Sequence, residues 1–400
     1  MLDADVVIAG GGIAGLLIAS ALAERASVVL IEQADDIPRN KYWLTDAAAA
    51  TANPSLKTCV DCWYEFLDFV AYDGDTATVR GQYCLWHTDR LTGQLSADVA
   101  RRGATVLTGH RLYSILEEGR AIVVRANDRV IRARLLIDCM GFGSPLVGAK
   151  DVADITGYYV LHGCEIATQG EVRPIALDNV ILGRRPTYFE FFPTANQTAH
   201  AALILPSRHF RPDRSMKGDL HFILGKSHYA KFICDAASPL RSYFGIIPVG
   251  RLRHPALDRV VFFGEAGQTN PAASATALSR MLHTYRDLAA GIETCLDRDT
   301  LTRRDLVRAI PPGMTRMNRV FQESVFENLL SFNSDDFRDL VRDLRLCPDE
   351  IVNDLVFARF DFASARSIPL AVQAMLRPRS VLGRHVWRSL ARSWAWRPSL

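Results

Sequence analysis

Asp5-Val6-Val7-Ile8-Ala9-Gly10-Gly11-Gly12-Ile13-Ala14-Gly15 is the stretch that decides the fold. Its first five residues read as a short buried parallel strand. An apolar helix from Leu16 to about Glu24 follows, then a second strand, Ser27–Ile31, ending in Glu32. G-x-G-x-x-G therefore falls on Gly10, Gly12 and Gly15, between a strand and a helix. Gly10 permits the tight turn. Gly12, lacking a Cβ, lets a pyrophosphate reach the backbone, and Gly15 lets helix and strand pack closely. The N–H groups of the helix start, at Ile13 and Ala14, face that pyrophosphate with the positive end of the helix dipole. Glu32 is placed to accept hydrogen bonds from ribose hydroxyls. The combination predicts a bound dinucleotide, because the motif has the structural context it requires.

The chain holds no second G-x-G-x-x-G, so a reductase with two dinucleotide domains is not expected. Two later apolar strands narrow the choice. Leu135-Leu136-Ile137-Asp138-Cys139-Met140-Gly141 resembles the D-A-T-G element of hydroxylase- and reductase-type flavoproteins. Val260-Val261-Phe262-Phe263-Gly264-Glu265-Ala266-Gly267 resembles their G-D-A element, which holds the ribityl chain and pyrophosphate. The resemblance implies FAD, with Asp138, Gly141, Gly264, Glu265, Ala266 and Gly267 around it. A helix after Pro271, running to about Thr294, would aim its N-terminus at the flavin ring. Arg90 is a further candidate for the flavin or its phosphate, with a surface salt bridge as the alternative.

Length and composition agree. Four hundred residues suit two lobes sharing one continuous sheet system, with a helical tail. The composition, 48% hydrophobic and 23% charged, is that of a globular enzyme, and a net charge of +3 gives no ground for nucleic acid as a partner. Met1-Leu2-Asp3-Ala4-Asp5 carries acid where a signal peptide needs Lys or Arg, so a cytoplasmic protein is expected. Of the eight cysteines only Cys59 and Cys62 have C-x-x-C spacing. Reduced thiols and no metal site are expected. The last segment, Arg377–Leu400, has six arginines, no acid, and Trp387, Trp394 and Trp396. That pattern suits peripheral contact with an anionic membrane surface, or a helix packed on the body.

The fold class expected is α/β. Residues 1–150 and 248–300 form a Rossmann-type FAD-binding domain, 151–247 a β-rich substrate lobe, and 301–400 a helical C-terminal region. The lobe is read from Tyr158–Cys164, Tyr188–Phe192 and Ala199–Leu205, rich in aromatic and branched residues. Roofing the flavin, it would line an apolar pocket.

Beyond the flavin elements, the chain resembles the lycopene β-cyclases, FAD-dependent proteins that close ionone rings on a linear carotenoid. The likeness is patchy but nearly full-length. It is carried by Tyr42-Trp43, Asp89-Arg90-Leu91 with Leu95, Asp138–Phe142, Gly157-Tyr158-Tyr159, Ile247-Pro248-Val249-Gly250, Gly264–Met281 and the run from Arg316 to Phe362. Pro186-Thr187-Tyr188-Phe189…Pro193 is similar to that family's P-T-F-L…P strand. The acidic pair that follows there, the family's implied proton handler, falls here on Ala202 and Leu203. Two substitutes are candidate catalytic residues: Glu190, set among Tyr188, Phe189, Phe191 and Phe192, and His200. A solvent-facing glutamate and a satisfied strand histidine are the alternatives. The missing pair favours redox chemistry, an oxygenase or oxidase type of FAD-dependent oxidoreductase acting on a hydrophobic, polyene or isoprenoid small molecule. NAD(P)H or a reductase would then donate electrons. Two readings stand beside it: a cyclase or isomerase without net redox change, and a non-catalytic flavin-binding protein on a membrane.

Overall fold

The computed structural model describes residues 1–39, 41–148, 152–182, 185–211, 215–236, 238–314 and 316–359. The Arg- and Trp-containing segment 377–400 lies outside them.

The Gly-rich unit folds as read. Strand β1 (Leu2–Ala9) leads through the glycine turn into helix α1 (Ile13–Leu22) and out into β2 (Val28–Ile31), which pairs parallel to β1. All four residues of β2 and the inner half of β1 are buried, as a parallel sheet covered on both faces demands. The sheet continues in the order β15 (Ala256–Leu257), β16 (Val260–Phe262), β9 (Arg129–Asp138), β1, β2, β6 (Thr105–Leu107). A hairpin of β7 (Leu112–Glu118) and β8 (Ala121–Ala126) joins it through β9. α1, α3 (Thr88–Arg101) and α5 (Ala277–Asp297) cover one face around Leu16, Leu17, Leu91 and Leu282; the hairpin closes the other through Ile122 and Val124.

The second sheet is separate, so the single continuous sheet system expected from length is corrected to two. Its order is β14 (Arg241–Leu252), β10 (Ala153–Ala167), β13 (Thr198–Ser207), β12 (Arg185–Pro193), β11 (Ile175–Leu182), β4 (Val60–Val70), β5 (Thr76–Trp86), β3 (Trp43–Asp46). The expected boundaries shift accordingly. Residues 43–86, assigned from sequence to the dinucleotide-binding part, build three strands of this second sheet, and β14 extends it past residue 247. α2 (Ala47–Thr51) follows β3, its start capped by Asp46.

Alternation on the central strands sets the sheet's two faces. Phe189, Phe191, Val160, Ala201 and Leu203 pack beneath α4 (Met216–Lys226). Tyr188, Glu190, Phe192, Ile204, Tyr159 and Tyr243 point the other way, into a cavity. The C-terminal helices close that cavity. α6 (Arg303–Ala309) packs on the first sheet's core, while α7 (Arg316–Leu329), α8 (Ser334–Leu346) and α9 (Asp349–Val356) lie over the second. Phe326, Phe337 and Val341 are their fully buried anchors.

Candidate active site

One cavity of about 1110 Å³ runs from the glycine turn to the C-terminal helices. At one end are Gly10, Gly12, Ile13, Ala14, Glu32, Met140, Gly141 and Glu265. At the other are Leu67, Phe69, Ile204, Leu329, Leu340 and Leu355.

The glycines do distinct work. Gly10 has φ +104°, and a Cβ there would sit 2.6 Å from the Cys139 carbonyl oxygen. A Cβ on Gly15 would sit 1.9 Å from the Gly10 carbonyl oxygen, so the helix starts hard against the turn. Gly12 is the opposite case: nothing lies within 4 Å of its missing Cβ. It stands at the N-cap of α1 without a side-chain hydrogen bond to the first N–H groups, and Ile13 and Ala14 of the first turn line the cavity. An anionic pyrophosphate fits such an end. Glu32 closes the turn from β2, its Oε2 accepting from the Gly11 N–H at 2.7 Å and its Oε1 from Ala34 at 2.9 Å. These residues fit a dinucleotide.

Several residues assigned from sequence to cofactor contact act one step back. Asp138 is fully buried and does not line the cavity. It accepts from the Ser144 hydroxyl and from the Met140 N–H at 3.0 Å, building the turn that presents Met140 and Gly141. Burial raises its carboxyl to about 6, against the pull of those two hydrogen bonds. Gly264 (φ +68°) lets the chain pass Ala14, where a Cβ would come within 2.5 Å of the alanine's. Ala266 is buried behind it, and a Cβ on Gly267 would meet the Phe262 carbonyl oxygen at 2.9 Å. Of that strand end only Glu265 lines the cavity, its Oε1 3.0 Å from Lys41 Nζ. Arg90 is corrected outright. It sits half-exposed on α3, off the cavity wall, with Asp61 3.8 Å away, because its helix turns that face toward β4.

Glu190 does not face solvent: it lines the cavity and accepts a hydrogen bond from the Tyr42 hydroxyl. Burial raises its carboxyl to about 7, with the Tyr42 bond pulling the other way. Burial and the neighbouring Glu190 together push the Tyr42 hydroxyl well above its ordinary range. His200 stands off the cavity wall. Its ring stacks on Tyr42 at 5.0 Å between centroids, its Nδ1 is buried without a hydrogen-bond partner, and burial pushes it down to about 4. It thus backs Tyr42 and does not line the cavity, which corrects its place as a cavity-facing catalytic candidate. Tyr159, whose hydroxyl donates to the Ala272 carbonyl at 2.7 Å, ties the second sheet to the loop after Gly267.

Sequence reasoning missed Lys41, Tyr42, Tyr159 and Tyr243 as site residues. The first two were visible only as a K-Y-W loop, and nothing local indicated that it reaches across to β12. Among the described residues, no helix is long and apolar enough to cross a membrane.

A sequence model of the family described as lycopene cyclase protein matches residues 5–182, just under half of the chain. No curated protein matches. Among solved structures, a geranylgeranyl bacteriochlorophyll reductase-like protein from Thermoplasma acidophilum is similar over 98% of this chain and 99% of its own, with a TM-score of 0.73 at 14% identity. A flavoprotein/dehydrogenase from Cytophaga hutchinsonii is similar over 98% and 100%, with a TM-score of 0.67 at 14% identity. A halogenase PltM variant in complex with FAD is similar over 98% and 96%, also with a TM-score of 0.67 at 14% identity. The chain therefore has the fold of these flavoproteins.

Proposed function

We propose that this protein is an FAD-dependent enzyme acting on an elongated, apolar small molecule. One observation carries the reading: the cavity that begins at the uncapped N-terminus of α1 continues without interruption into the apolar chamber beneath α7–α9. Gly10, Gly12, Glu32, Met140, Gly141 and Glu265 would hold the dinucleotide. When bound, FAD supplies a two-electron redox centre. The chain's own contribution is to exclude water from the chamber and to align an apolar substrate along the rings of Tyr159, Tyr188 and Phe192.

Redox chemistry on a polyene or isoprenoid, with electrons from NAD(P)H or a reductase, is the first form of this reading. A second form, cyclisation or isomerisation without net redox change, is favoured by a specific observation: a cavity-facing carboxyl at Glu190 that burial holds near neutrality. Rapid mixing separates the two. The FAD-loaded protein, reduced without oxygen, is mixed with oxygenated buffer with and without a linear polyene. Polyene-dependent reoxidation supports redox chemistry. Reoxidation indifferent to the polyene, with a product of unchanged mass, supports the second form. A flavin spectrum and polyene both unchanged across a panel of apolar substrates would tell against an enzyme of either kind.

A further inference from the structure

Two arginines meet where the connection after α6 leads toward α7. Arg280 ends the first turn of α5, and Arg319 ends the first turn of α7. A Cβ added to Gly313, in the Pro311-Pro312-Gly313 connection, would lie 3.6 Å from Arg319 Nη2 and 3.9 Å from Arg280 Nη2. Both guanidiniums therefore reach one point. Pro312 and Gly313 are exposed, so that point is open to solvent. It is not part of the cavity: neither arginine lines it, although Ala277, Leu278 and Met281 of α5 do.

This positive charge has no counterweight among the described residues. The start of a helix is the positive end of its dipole and favours acids, yet neither α5 nor α7 has an acid in its first turn. Among the described residues neither guanidinium pairs with a carboxylate. Arg280 donates to the Pro312 carbonyl at 3.2 Å, and Arg319 has no hydrogen-bond acceptor there. Burial and the neighbouring Arg319 pull the Arg280 guanidinium below its ordinary range, the reverse of what an acidic partner does. Glu323, one turn along α7 from Arg319, forms no ion pair with it among the described residues. Its Oε1 is buried without a hydrogen-bond partner, and burial raises its carboxyl against the pull of Arg251 and Arg319.

We propose that Arg280 and Arg319 form an anion site that takes a phosphate group. Like charges held this close repel one another unless an anion lies between them. Two guanidinium forks offer paired N–H donors that match phosphate oxygens, and a phosphate dianion balances both charges. Pro311 and Pro312 stiffen the connection that brings the Pro312 carbonyl to Arg280, so one fork is held in place before the anion arrives. The site is separate from the glycine turn at Gly10–Gly15 and does not depend on a bound flavin.

Calorimetric titration of the FAD-loaded chain with inorganic pyrophosphate tests the site while the glycine turn is filled. Wild type should bind saturably. Arg280→Gln and Arg319→Gln should each weaken that binding by about 10- to 100-fold, since each removes charged donors. Arg319 gives up no hydrogen bond among the described residues, so Arg319→Gln should stay folded, with a thermal midpoint at low salt equal to or above that of wild type. A merely structural role would lower the midpoint and leave pyrophosphate affinity in place. Competition by NADPH assigns the phosphate to a nucleotide, competition by vesicles containing phosphatidic acid to a lipid headgroup, and competition by neither to free phosphate. Absence of saturable binding to wild type, or wild-type affinity in Arg319→Gln, overturns the proposal. Failure to load FAD would tell against the function proposed above. Gly12→Asp then serves as host, because its carboxylate keeps pyrophosphate off the glycine turn, and the two failures stay distinct.

Discussion

Gly163→Ala is the sharpest test of how the chamber floor is built. The added Cβ would lie 2.2, 2.5 and 2.6 Å from Cε2, Cζ and the hydroxyl oxygen of Tyr243. Comfortable carbon contacts are about 3.5–4.0 Å, so the ring must withdraw by more than about 1 Å. Tyr243 is only 5% exposed and meets the Tyr42 ring at 5.5 Å on its free side, so it has little room to yield. Overpacking of this kind costs about 1–3 kcal/mol. The same substitution in a Tyr243→Ala background meets no ring, and exchanging Gly for Ala in a strand is then neutral or stabilising by about 0.5–1 kcal/mol. Urea unfolding of wild type, both single variants and the double variant should give a coupling of about 1–3 kcal/mol between the two sites. Equal costs of Gly163→Ala in the two backgrounds would refute the packing described here.

Gly15→Ala places a Cβ 1.9 Å from the Gly10 carbonyl oxygen, so turn and helix cannot both keep their positions. The variant should lose FAD binding together with several degrees of thermal midpoint; a wild-type flavin content and melting curve would contradict this. For pH dependence, Asp138 and Asp178 are raised to about 6 and Glu190 to about 7, all by burial. Between the unfolded value of about 4 and these values the folded chain binds more protons than the unfolded one. The three groups therefore contribute stability that is fully present below about pH 4 and lost as pH rises through 6 to 7. Glu190→Gln should flatten the upper part of that decline, measured as the difference in urea midpoint between pH 5 and pH 8. An unchanged difference would show that Glu190 titrates alike in the folded and unfolded chain.

The dinucleotide unit was legible because its signals are local: a strand, three spaced glycines, a helix and an acid within about thirty residues. The strands at 153–167 and 198–207 were legible from branched and aromatic runs. The hairpin of β4 and β5 was not, although Asp73-Gly74 marks its turn. Bulges between Val60 and Cys62, and between Tyr64 and Phe66, break the two-residue period that reveals a half-buried strand. Glu190 was legible as a carboxylate among rings, but its direction was not. Both faces of β12 are buried, so alternation could not say which side faced a cavity. Tyr42 was out of reach because its partner lies 148 residues away along the chain. Asp138 and Arg90 erred in the same way. Sequence placed them near the cofactor, while only the fold could show whether a side chain turns toward the cavity or braces its wall.

Gly12→Asp tests the central claim, that the cavity holds FAD at the start of α1. Gly12 has φ −67°, open to any residue, and nothing lies within 4 Å of its missing Cβ. An aspartate is also a favourable N-cap, better than glycine by roughly a few tenths of a kcal/mol. The account predicts that wild type, stripped and titrated with FAD by fluorescence or calorimetry, binds one equivalent. Gly12→Asp should stay folded, with an unchanged or raised thermal midpoint, and lose that binding, because its carboxylate occupies the place and repels the charge of the pyrophosphate. Undiminished FAD binding by a folded Gly12→Asp variant would contradict the account.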